Sequence, residues 1–229
     1  RIPSARVVLH SSANRNVGLQ AIEHMERAID DLRLVFGAEP VLPLPVCIVR
    51  DEEQFDRLAF GDPDGRRPAA HVGRQQAVHY AFFAESWLVP AGGKREFRGM
   101  GVGYWDPLVP YGDLYGVHSA RLAAGLSYVE ALDPSPRAVR RAQKAGSDAE
   151  YYDDYQKEKK LPAWLRVGGA VYGERFFRDR HVAEDGDPWW ARAWSIDNLR
   201  GRGGLRSLED VFAFALDPSD RDDGLKLLI

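Results

Sequence analysis

A chain of 229 residues is long enough for one large domain or two small ones. Hydrophobic residues at 45% and charged residues at 28% describe an ordinary globular protein and argue against intrinsic disorder. A net charge of −3 offers no field to gather nucleic acid or an anionic membrane, and no stretch reaches the ~20 apolar residues of a transmembrane helix.

The first residues, Arg1-Ile2-Pro3-Ser4, lack the apolar core of a signal peptide. Arg1 is read as a boundary from which an upstream signal could have been removed. Val7 to His10 reads as a short strand. From Val17 to Phe36, the apolar residues Ile22, Met25, Ile29, Leu32 and Val35 recur at helical spacing, and Gly37 is placed to close that helix. Leu44 to Val49 is a second strand, bracketed by Pro43 and Asp51. Cys47, inside it, is the only cysteine; it excludes an intrachain disulfide and a Cys-rich metal site, and is expected to be a buried, inert thiol. Asp51-Glu52-Glu53-Gln54-Phe55 opens another helix, with Asp51 as its N-cap and carboxylates in its first turn.

Gly61 to Gly65 is a loop. Ala69 to Val72 and Ala77 to Phe83, separated by Gly73-Arg74-Gln75-Gln76, are expected to form a hairpin. Residues 86–112 are punctuated by Gly and Pro and leave room for one more strand, around Gly101 to Trp105. After Tyr111 the pattern becomes helical, with helices expected at 114–132, 136–158, 162–180, 188–199 and 205–216. The fold class is therefore α+β: an N-terminal mixed β-sheet with helices over 1–112, then a mostly helical half over 113–229, together one contiguous unit. The closing run Leu225-Lys226-Leu227-Leu228-Ile229 carries no stop signal and reads as the interior of a longer protein.

Two segments carry a resemblance. Tyr115-Gly116-Val117-His118-Ser119-Ala120-Arg121-Leu122 begins a helix, and Leu161-Pro162-Ala163-Trp164-Leu165-Arg166-Val167-Gly168-Gly169-Ala170-Val171-Tyr172 begins another. The second resembles the region of the third zinc ligand in peptidase MA-like (gluzincin) metallopeptidases. There a Leu-Pro and a Trp-Leu precede a Glu ligand, a Gly, an Ala and an aromatic residue. Leu161, Pro162, Trp164, Leu165, Gly168, Ala170 and Tyr172 fall in that register. The resemblance implies a thermolysin-like catalytic-domain architecture, with an H-E-x-x-H helix upstream that begins at His118.

The zinc chemistry does not follow. Two His one helical turn apart present nitrogens to one metal, and the Glu between them deprotonates the bound water. Here Ser119 stands at the position of the Glu, Leu122 at that of the second His, and Val167 at that of the third ligand. The six His (His10, His24, His71, His79, His118 and His181) include no pair three or four residues apart. His118, Ser119, Leu122 and Val167 are thus vestigial ligand positions, with no catalytic residue, metal or cofactor expected.

Other candidates have plainer readings. His118 lies on the stripe Tyr115, His118, Leu122, Leu126 and Val129 and is expected to face a core. His71 and His79 are expected to form a surface pair across the hairpin. Gly168-Gly169 implies close approach of a neighbouring helix. Gly99-Met100-Gly101-Val102-Gly103 lacks the helix start that a phosphate cradle requires and is expected to be a turned loop. Arg200-Gly201-Arg202-Gly203-Gly204 is a single RGG-like copy and reads as a loop. Ser119 and Ser127 match no nucleophile arrangement.

The expectation is a catalytically inactive metallopeptidase-like domain that binds or scaffolds. A protein or peptide partner would occupy the ancestral substrate groove, lined by Tyr111, Asp113, His118, Arg121, Trp164 and Tyr172. Edge strands of such sheets bind extended peptides by strand addition, which points to the Gly101–Trp105 strand. One alternative is a hydrolase of altered chemistry built on His118, Arg121, Tyr111 and Asp113. Another is a purely structural assembly module. A soluble chain without disulfides or membrane insertion is expected, exported if an upstream signal was removed.

Overall fold

The computed structural model describes residues 1–51, 53–55, 82–91, 94–109, 112–133, 160–174, 200–201, 203 and 207–213. The expected hairpin with His71 and His79, apart from Phe82 and Phe83, lies outside the described residues, as do the helices at 136–158 and 188–199 and Tyr111.

Among the described residues, five strands form one mixed sheet: β1 (Ile2–Pro3), β2 (Val7–Ser11), β3 (Leu44–Val49), β4 (Phe82–Ala91) and β5 (Lys94–Tyr104), in the order β1-β2-β3-β5-β4. β2, β3 and β5 run parallel, while β1 and β4 pair antiparallel with β2 and β5. Among the described residues, four helices accompany the sheet: α1 (Arg15–Phe36), α2 (Gly112–Leu132), α3 (Ala163–Glu174) and the short α4 (Leu208–Ala213). The α+β class follows.

Helix α1 begins where Asn14 caps it, the side-chain oxygen accepting the Val17 N–H at 2.9 Å. It ends at Gly37, whose φ of 60° suits a residue without Cβ and whose N–H donates to the Arg33 carbonyl. Val17, Ala21, Met25, Ala28, Ile29 and Leu32 form its buried face. Asp51 caps the following turn as expected, accepting the Gln54 N–H at 2.8 Å. Arg6, between β1 and β2, reaches Glu26 and Asp30 on α1 and is held firmly charged by them.

Strand pleating splits the sheet into two faces. Leu44, Val46 and Ile48 of β3 join Val7 and Leu9 of β2 under α1 and α2. Cys47 and Val49 point the other way, into a smaller cluster with Phe55, Met100, Val102 and Tyr104. Cys47 is buried, and desolvation pushes its thiol up to about 12.

The Gly99–Gly103 segment lies within β5: the strand expected around Gly101 is present and starts earlier, at Lys94, and the turned loop expected from the glycine run is not. Its glycines alternate with Met100 and Val102, so they share the face beneath α2. A Cβ on Gly101 would lie 1.8 Å from the Ala123 carbonyl oxygen, and one on Gly103 would lie 2.5 Å from the Ser119 hydroxyl. Glycine is needed there because a helix backbone rests directly on the strand. β5 is also interior, hydrogen-bonded to β3 on one side and β4 on the other. β3 pairs with Gly101–Tyr104 and β4 with Gly101 and Val102, so this strand is not the free sheet edge that was expected.

Helix α2 is buried around its whole circumference rather than along one stripe, since every residue from His118 to Glu130 is buried. Ser119, Ala123 and Ser127 recur every four residues and rest on β5. The opposite side meets α1 and α3. The main core contains residues from β2, β3, α1, α2 and α3, so it crosses the 112/113 division.

Candidate functional site

Of the four vestigial ligand positions, His118, Ser119 and Leu122 lie on α2 and Val167 lies on α3; α2 carries small side chains where the sheet and two helices approach it. Ser119 is fully buried, and its hydroxyl accepts the Tyr104 N–H at 2.8 Å, fastening α2 to the end of β5. Ser127 does the same two turns later. Its hydroxyl accepts the Gly101 N–H at 2.8 Å and donates to the Pro45 carbonyl at 2.7 Å, joining α2 to β3 and β5. Leu122 is fully buried in the main core. Each serine hydroxyl on α2 is thus committed to backbone.

His118 is buried as expected, but its neighbour is a residue that sequence reasoning passed over. Its Nδ1 lies 3.3 Å from Oε1 of Glu174, the last residue of α3, with the two side chains 4% and 2% exposed. One turn further along α2, Arg121 donates from Nε to the Gly173 carbonyl at 3.1 Å and from Nη2 to Asp31 of α1 at 2.6 Å. The Arg121 side chain is 3% exposed. A buried guanidinium is tolerated only with such partners. Asp31, Glu174 and His118 therefore form a polar cluster with Arg121 where three helices meet. The overlooked signal was modest: two acidic residues at helical positions next to apolar stripes.

Helices α2 and α3 run antiparallel, because His118 meets Glu174 while Gly125 meets Ala170 seven residues along α2. A Cβ on Gly125 would come 2.7 Å from the Ala170 carbonyl oxygen, the close helix approach that glycine permits. Val167 precedes Glu174 by seven residues, about 10 Å along a helix. In this pairing it stands level with the turn of α2 after Gly125. The structure thus brings His118 together with Glu174, and does not bring it together with the Val167 position.

Of the expected groove residues, His118 and Arg121 are committed to this cluster. Asp113 is exposed and accepts the Trp105 indole N–H at 3.2 Å. Trp164 is half-buried at the far end of α3, its ring 5.0 Å from that of Phe212 on α4. Tyr172 is 36% exposed. Gly169 and Gly173 face Phe36 and Leu32 of α1, as close packing requires. Gly168 does not: a Cβ there would meet nothing within 4 Å, so close approach explains only the second glycine of the pair.

Among the described residues, no three His, Cys, Asp or Glu side chains gather as a metal site. Nor is any described helix long and apolar enough to cross a membrane. Compared with known proteins, the chain matches no family model, no curated protein and no solved structure.

Proposed function

We propose that this chain is a catalytically inactive, metallopeptidase-like domain that acts as a binding or scaffolding module. One observation carries the reading. Ser119 and Leu122, which occupy the positions of the general base and second His under the resemblance, are fully buried and used for packing. A metal-bound water needs donors around an open, hydrated coordination position. Here a hydroxyl bonded to backbone and a leucine in the core stand instead.

The antiparallel pairing of α2 and α3 supports the same reading from another direction. The turn of α2 level with Val167 contains Leu126 and Val129, both buried and neither able to donate to zinc. Shifting the H-E-x-x-H register by a turn therefore restores no ligand. The accessible members of the expected groove, Asp113, Trp164 and Tyr172, are the side chains left for a protein or peptide partner.

In a hydrolase of altered chemistry built on His118 as base, Glu174 at 3.3 Å would be the orienting carboxylate. Such a base must reach a nucleophile or a water-borne proton. The adjacent Ser119 hydroxyl instead accepts from Tyr104 on the sheet side of α2.

The test is elemental mass spectrometry on protein incubated with zinc and desalted. The expected result is well below one zinc per chain. About one tightly held zinc per chain would overturn the proposal.

A further inference from the structure

We draw no further inference here: the strongest candidate, the buried cluster of His118, Glu174, Arg121 and Asp31 where α2 meets α3 and α1, belongs to the site already described, and no observation there points to a ligand.

Discussion

At the scale of single residues, Arg121 shows how a charge is accommodated inside this core. Its guanidinium is removed from water and compensated by Asp31 and by the Gly173 carbonyl. Removing one partner of a buried pair strands the other, so Arg121→Met should cost about 3 to 5 kcal/mol. Urea denaturation would measure this, and adding Asp31→Asn to the same variant should recover part of the loss. An unchanged midpoint in Arg121→Met would show that the cluster contributes nothing to stability.

Cys47 makes a second prediction, with a defined sign. Burial raises its pKa in the folded state from the ordinary 9.0 to about 12. Between those values the unfolded chain releases a proton that the folded chain keeps, so ionisation favours unfolding. The stability contribution is therefore complete below pH 9 and falls as pH rises toward 12. At pH 11 the wild type should lose about 3 kcal/mol relative to Cys47→Ala, measured against the difference between the two proteins at pH 8. Equal loss in both proteins would mean that the thiol titrates as if exposed.

At the scale of elements, glycines in apparently similar contexts have opposite roles. Gly101 lies where α2 rests on β5, and Gly168 faces open space on α3. Gly101→Ala forces a methyl against the Ala123 backbone and should destabilise by at least about 3 kcal/mol. Gly168→Ala adds a helix-favouring side chain without a clash and should stabilise by up to about 1 kcal/mol. Thermal unfolding of the two variants should shift in opposite directions, and a loss in Gly168→Ala would refute the open placement of that glycine.

Elements with a strong local signal were legible in the sequence. β3 matches its expected limits, and α1 ends at Phe36 before Gly37 as expected but starts at Arg15, because Asn14, which the apolar spacing does not register, caps it. β4 was missed because Pro90 and the irregularity between Ala84 and Trp87 interrupt the alternation of a strand. The available clue was Gly92-Gly93, a two-residue hairpin signal between Ala91 and Lys94, which pair with each other. Pro90 is tolerated because β4 is the edge of the described sheet.

At the scale of the whole molecule, α2 is the element around which the others assemble. It lies against the sheet through Ser119, Ala123 and Ser127 and against α1 and α3 through Arg121 and Gly125. A chain ending at residue 112 would lack this helix and leave Val46, Ile48 and Trp105 without their cover. The fragment 1–112 should therefore show no cooperative unfolding transition by circular dichroism. A sharp transition would make the N-terminal half an autonomous domain.

The sequence by itself determined the α+β class, the limits of β3, the Gly37 end of α1 and the burial of Cys47 and His118. Each rests on local periodicity or on the chemistry of one residue against its neighbours. Only tertiary structure decided that β5 is interior, that α2 is covered on every side, and that His118 faces Glu174. Strand order, helix crossing and side-chain partnership depend on residues far apart in the chain. A Gly-x-Gly-x-Gly run looks the same in a loop as in a strand until a helix is known to rest on it.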